Sequence, residues 1–187
     1  MKLPITVGLL AFALVAANAQ KASPPSADYL MKTASAKAGK EGKSVLVIFH
    51  ASWCGWCHRL DGFMSKTENN AWFEKNFAVV HLDVMEQPAQ KALENAGGQD
   101  YMKRWGGETA GLPFMVVLSP AGKVLADSMA TVNGKKSNIG CPWEAPEVSH
   151  FMKMMRTGAK HSSAAEFSAL EKGLLGQKAA AAAGGGH

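Results

Sequence analysis

At 187 residues, 47% of them hydrophobic, the chain is long enough for one domain of ordinary size with its own core. Its net charge of +5 comes from lysines and arginines scattered along the sequence rather than gathered in a run, which excludes a nucleic-acid-binding surface. Three cysteines are too few for a disulfide scaffold and leave one over once a pair is formed.

Lys2 precedes an apolar run from Leu3 to Val15, and Ala17-Asn18-Ala19 then supplies a small-x-small cleavage site before Gln20. That order predicts a signal peptide over residues 1–19, and hence an exported protein, periplasmic or secreted. The run is well short of the roughly 20 apolar residues a spanning helix needs, so no membrane span is expected after signal removal. Residues 20–27, with Pro24-Pro25, suit a linker. A first helix is expected from Ser26 or Asp28 to about Lys40, with Gly39 or Gly42 as its stop.

Val45 to Phe49 is an apolar, β-branched run of strand length that leads directly into Cys54-Gly55-Trp56-Cys57, followed by helix to about Met64. A dithiol is thus placed at a helix start, where unpaired N–H groups and the positive end of the macrodipole favour a thiolate over a thiol. Cys54 gains most from this, and Cys57, one turn on and on the same face, is close enough for an S–S bond to form and break.

Further along, Ala71 to Phe77 reads as a short helix, Ala78 to Val84 as a buried strand, and Gln87-Pro88 to Trp105 as helix interrupted at Gly97-Gly98. Leu112 to Leu118 is a strand with its proline near the start. Ser119-Pro120-Ala121-Gly122 is a turn leading to a hairpin strand from Lys123 to Asp127. Residues 131–140 are expected to form a loop. Glu147 to Met155 makes a covering helix with Val148, Phe151, Met152 and Met155 on one face. Ser163 and Glu166 resemble a capping box for a last amphipathic helix.

This order, with Trp53-Cys54-Gly55-Trp56-Cys57-His58 in the middle and Gly111-Leu112-Pro113 later, resembles thioredoxin, and more closely the exported thioredoxin-like proteins with a WCxWCH site. The resemblance covers about Asp28 to Arg156. It implies an α/β thioredoxin fold, a central mixed β-sheet flanked by helices, here with an extra C-terminal helix. The corresponding organisation is a thioredoxin-like domain over residues 28–158, an additional helix over 159–178 and a low-complexity tail over 179–187 that is expected to fray. The implied activity is thiol–disulfide oxidoreductase, with protein thiols or disulfides of the exported compartment and a further redox partner as its partners, and with no cofactor.

By the same resemblance Cys54 is the attacking thiol, Cys57 the resolving thiol, and Pro113 the cis-proline beside the dithiol; a trans edge-strand proline is the alternative. Trp53, Gly55, Trp56, Leu112, Ile139 and Gly140 are the expected substrate-binding residues. Where thioredoxin keeps a buried carboxylate on the strand before the dithiol this chain has Ile48, and where thioredoxin keeps the partner lysine it has His81, a candidate proton acceptor because imidazole titrates nearest neutrality. Gly55-Trp56 is neither the dipeptide of the reducing thioredoxins nor that of the oxidising and isomerising relatives, so reductase, oxidase and isomerase all stay open.

Two other readings use the same cysteines. Cys54-Gly55-Trp56-Cys57-His58 matches the CxxCH haem-attachment pattern, although haem attachment does not call for the alternation of strands and helices around it. A copper-binding module would draw on Cys54, Cys57 and some of the ten methionines, whose spacing is that of core residues. Cys141 is expected to be a buried spectator thiol, with trapping or sensing roles as the alternatives.

Overall fold

The computed structural model describes residues 23–132 and 134–184. The expected signal peptide, the first part of the linker and the last three residues of the tail lie outside the described residues.

Helix α1 (Ala27–Glu41) starts where the Ser26 hydroxyl accepts from the Tyr29 N–H, and buries Ala27, Met31, Ala34 and Ala38 along one stripe. Strand β1 (Ser44–His50) follows, then α2 (Gly55–Met64), α3 (Thr67–Asn76) and β2 (Phe77–Asp83). A 3-10 turn over Pro88–Leu93 and helix α4 (Gly98–Arg104) replace the longer helical region, the break falling at Gly97. Strand β3 (Phe114–Leu118) and strand β4 (Val124–Asp127) form the expected hairpin.

The sheet order is β2-β1-β3-β4, with β1 and β2 parallel and the other pairs antiparallel. Because β1 is central, its side chains alternate between two cores. Leu46 and Ile48 face α2 and the two C-terminal helices; Val45, Val47 and Phe49 face α1 and α4. Phe49 is fully buried and stacks on Phe114 at 5.7 Å between ring centroids. Burying a side chain of this size contributes about 1.5–3 kcal/mol.

Three expectations are corrected. Pro113 lies just before β3 rather than inside it, with a cis Leu112–Pro113 bond as the family resemblance implies. The loop over 131–140 is instead a hairpin of β5 (Met129–Val132) and β6 (Lys135–Asn138). Its turn contains Gly134 at φ 77°, a left-handed conformation that glycine adopts without strain. The polar run Lys135-Lys136-Ser137-Asn138 shows no alternation that would mark it as a strand.

Helix α5 (Ala145–Gly158) and helix α6 (Ala164–Gly184) complete the fold. The Ser163 hydroxyl accepts from the Glu166 N–H, and the Glu166 carboxylate accepts from the Ser163 N–H, closing the expected capping box. The third correction is at the far end of α6, where the backbone stays helical to Gly184 rather than fraying from 179; a run of alanines, the best helix former, explains it.

Candidate active site

Strand β1 ends at His50, and the chain turns through Ala51-Ser52-Trp53 to start α2 at the dithiol. Cys54 is the N-cap of α2, its Sγ accepting from the Cys57 N–H at 3.2 Å, and the two cysteines form a disulfide with Cα atoms 5.2 Å apart. The expected nucleophile therefore sits at the N-terminus of a ten-residue helix, where a thiolate is favoured.

The turn is fixed from behind. Glu86, only 5% exposed, accepts from the Ser52 N–H at 2.6 Å and from the Ser52 hydroxyl at 2.7 Å, while His58 Nε2 donates to the Ser52 carbonyl at 2.8 Å. The Trp53 indole donates to the Met85 carbonyl at 2.8 Å. Trp53 and Trp56 stand about half exposed on either side of the buried sulfurs.

Leu112 packs against Ala51, Cys54 and Cys57, so the segment before Pro113 touches the dithiol. Beyond it opens a groove of about 600 Å³ between Thr109–Leu112 and Lys136–Cys141, with Trp56 and Trp143 at one end. Gly140, at φ 58°, brings its backbone against the Pro113 ring; a Cβ there would lie 4.0 Å from Pro113 Cδ. Of the expected substrate-binding residues, Trp56, Leu112, Ile139 and Gly140 are thus brought together. Trp53 and Gly55 are not among the groove's lining residues; Trp53 is drawn toward Met85 instead.

His81 is the register partner of Ile48 on the neighbouring strand. The carboxylate that meets it comes from α2: His81 Nε2 donates to Asp61 Oδ1 at 3.0 Å. Asp61 lies one turn after Cys57 on α2. Burial raises the Asp61 carboxyl, but the hydrogen bond and charge of His81, with His50 and His58, outweigh this and hold it below the usual carboxylate range. Beside this pair His50 Nε2 lies 3.1 Å from Asp83, and the His50 and His81 rings are 5.0 Å apart. Burial pushes His50 toward the neutral imidazole.

Cys141 is buried in the groove wall, and burial pushes its thiol up to about 12, against a lesser lowering by Arg59. It remains protonated, and therefore unreactive, at neutral pH. Met152 and Met155, two of the methionines available to a copper reading, are buried in the core. Among the described residues no group of three or more His, Cys, Asp and Glu side chains could hold a metal ion.

Two features were missed in the sequence. Arg59 lies over two indoles that meet edge-to-face, 4.2 Å from the Trp143 ring centroid and 5.2 Å from that of Trp56, joining α2 to the segment before α5. Asn138, the last residue of β6, bonds to the backbone on both sides of Leu112. The Asn133-Gly134 pair was the available signal for the hairpin that carries Asn138; nothing local marked the Arg59 stack.

A parallel β1–β2 pair, an antiparallel β1–β3 pair, a disulfide at the start of the intervening helix and a proline loop against it define a thioredoxin-fold protein with a disulfide-capable cysteine pair. Residues 30–120 match the model of the thioredoxin-like family, so the chain carries a thioredoxin-like domain. Among solved structures it is similar to a disulphide isomerase from Xylella fastidiosa Temecula1, with 28% identity, 54% of this chain and 72% of that chain covered, and a TM-score of 0.46. It is also similar to a DsbH oxidoreductase, at 18% identity over 74% of this chain and 93% of that one with a TM-score of 0.44. A thioredoxin from Thermus thermophilus is 19% identical over 83% of this chain and 91% of that one, at a TM-score of 0.37. The family match, the fold and the Cys54–Cys57 pair fit a thioredoxin-like thiol–disulfide oxidoreductase.

Proposed function

We propose that the chain exchanges disulfides with the cysteines of exported proteins, working in the periplasm or outside the cell. The observation that carries the exchange reading is the disulfide at the N-terminus of α2, in contact with Leu112 at the head of an open groove. In the reduced protein the Cys54 thiolate attacks a partner's disulfide, forming a mixed disulfide and releasing one partner thiolate, which takes up a proton. Cys57 then loses its proton and attacks Cys54 Sγ, so that the second partner thiol leaves and the Cys54–Cys57 disulfide closes. Two electrons pass to the partner, and the reverse sequence oxidises a partner dithiol. A second thiol-bearing redox partner resets the pair.

His81 is the proposed acceptor for the Cys57 proton. Supporting this, Asp61 lies one helical turn from Cys57 and, held ionised, fixes the imidazole by a hydrogen bond. Trp56, Leu112, Ile139 and Gly140 are the proposed contacts for the partner chain, and Pro113 shapes that surface. What supports export is the order of Lys2, Leu3–Val15 and Ala17-Asn18-Ala19 in the sequence.

Cys57→Ser, which leaves Cys54 without its resolving partner, tests the scheme. Expression of the full chain in its own compartment should yield covalent adducts that dithiothreitol releases and that vanish when Cys54 is also replaced. Recovery of none contradicts the exchange reading, and a mature N-terminus other than one near Gln20 contradicts the proposed processing.

A further inference from the structure

We infer that Asn138 is a positioning residue for substrate capture: its side-chain amide holds the backbone of Leu112 turned toward the groove. The inference rests on the oxidoreductase reading above and adds to it a residue outside the dithiol and proline segments.

The Asn138 amide uses every hydrogen-bonding site it has. Nδ2 donates to the Gly111 carbonyl at 2.6 Å and to the Pro113 carbonyl at 2.9 Å; Oδ1 accepts from the Ser128 hydroxyl at 2.7 Å and from the Gly140 N–H at 3.2 Å. Chemistry fixes the orientation of the amide, since two partners are carbonyls that only accept and a third is an N–H that only donates. The Ser128 hydroxyl is itself held, accepting from the Met115 N–H at 2.9 Å, so the clasp is anchored to the first residues of β3.

The consequence falls on the residue between the two clasped carbonyls. The Gly111 carbonyl and the Leu112 N–H belong to one trans peptide plane and point opposite ways, so tying that carbonyl to Asn138 turns the Leu112 N–H away from the amide, and the hold on the Pro113 carbonyl fixes the far side of the cis Leu112–Pro113 bond. Among the described residues the Leu112 N–H and carbonyl have no hydrogen-bond partner. Leu112 lines the groove and packs against the small buried cluster that holds both cysteines. An extended polypeptide with its cysteine at Cys54 therefore finds at Leu112 one donor and one acceptor in a fixed direction, a ready-made edge for main-chain pairing. Without the amide, the carbonyls of Gly111 and Pro113 are free to rotate and that edge is no longer set. Asn138 acts on substrate through Leu112.

The test compares two substrates of the full-length protein, turned over with dithiothreitol as the reductant and with the uncatalysed rate subtracted: glutathione disulfide, which has almost no chain to pair, and a short unstructured peptide whose single cysteine is joined to glutathione. Asn138→Ala removes the clasp, and Asn138→Asp sets a carboxylate against the two carbonyls. For both variants KM for the peptide should rise about tenfold with kcat changed less than about twofold, so that the ratio of kcat/KM for peptide over glutathione disulfide falls about tenfold, the size of losing one or two net hydrogen bonds. An unchanged ratio, or equal losses on both substrates, overturns the positioning role while leaving the exchange chemistry intact. A wild-type protein that reduces neither substrate overturns the oxidoreductase reading and this inference with it. Should neither variant fold, Asn138→Ser, which keeps a single polar group at the position, takes their place in the same comparison: a fall in the peptide-to-glutathione disulfide ratio supports the role, and an unchanged ratio overturns it.

Discussion

Glu86 grips Ser52 at two points, its carboxylate accepting from the Ser52 N–H at 2.6 Å and from the Ser52 hydroxyl at 2.7 Å. The pair spans the gap between the loop after β2 and the turn that delivers Cys54, and Glu86 is almost completely buried while it does so. Hydrogen bonds to a charged acceptor contribute about 1.5–3 kcal/mol each, and their loss leaves a partly buried N–H unpaired. Glu86→Ala is expected to cost about 2 kcal/mol or more in stability on this basis, and Glu86→Gln less, because the amide oxygen still accepts one bond. Denaturant unfolding of the oxidised protein measures both.

The thiols should separate sharply by reactivity. In the reduced protein Cys54, at the helix start, is expected to be alkylated by iodoacetamide with an apparent pKa below the ordinary value of about 8.5. Cys141, its thiol pushed up to about 12 by burial, should stay unmodified at pH 8 until the chain is unfolded. Mass analysis of the alkylated peptides distinguishes the two sites.

A tighter constraint operates at Gly158, where α5 crosses the sheet. A Cβ on this residue would lie 2.6 Å from both Phe77 and Val117, and its carbonyl accepts from the buried Ser44 hydroxyl at 2.9 Å. Gly158→Ala should therefore lower stability by about 1–3 kcal/mol, the usual cost of overpacking, despite the better helix propensity of alanine. Gly176, whose Cβ would meet nothing within 4 Å, is the control position, and Gly176→Ala should be neutral or stabilising in the same thermal melt.

Acid should act through Asp61. Its carboxyl is held below the usual range in the folded protein, so the unfolded chain takes up the proton first as the pH falls. The stability this contributes is complete above about pH 4, the unfolded value, and is lost as the pH drops through the lower folded value. Asp61→Asn should flatten that part of the stability–pH curve, and His81→Ala should flatten it by a similar amount because the same hydrogen bond is lost. Urea midpoints between about pH 2 and pH 6 test this.

What could be read from the sequence was local. Ser26 as a cap, the Ser163–Glu166 box, the apolar run of β1 and the dithiol at the start of α2 all follow from neighbouring residues. The β5–β6 hairpin was missed because Lys135-Lys136-Ser137-Asn138 lies on a polar edge, where nothing alternates; only Asn133-Gly134 announced it. Asp61 meeting His81 depends on how α2 lies across β2, and Trp53 turning to Met85 while Trp56 turns to the groove depends on side-chain directions that one tryptophan on each side of Cys54-Gly55 does not reveal. Asn138 illustrates the same point most strongly, since its partners lie 10 to 27 residues away in the chain except for Gly140.

The order in which the segments leave the ribosome adds a consequence. Cys54 and Cys57 are synthesised well before Leu112, which packs against their cluster, and before Ile139 and Gly140, which line the groove. A nascent chain that ends before Gly111 has both sulfurs and no lid, so for that interval the pair is open to any oxidant or stray thiol it meets. Selectivity at this dithiol begins only when the second half of the chain has folded onto the first.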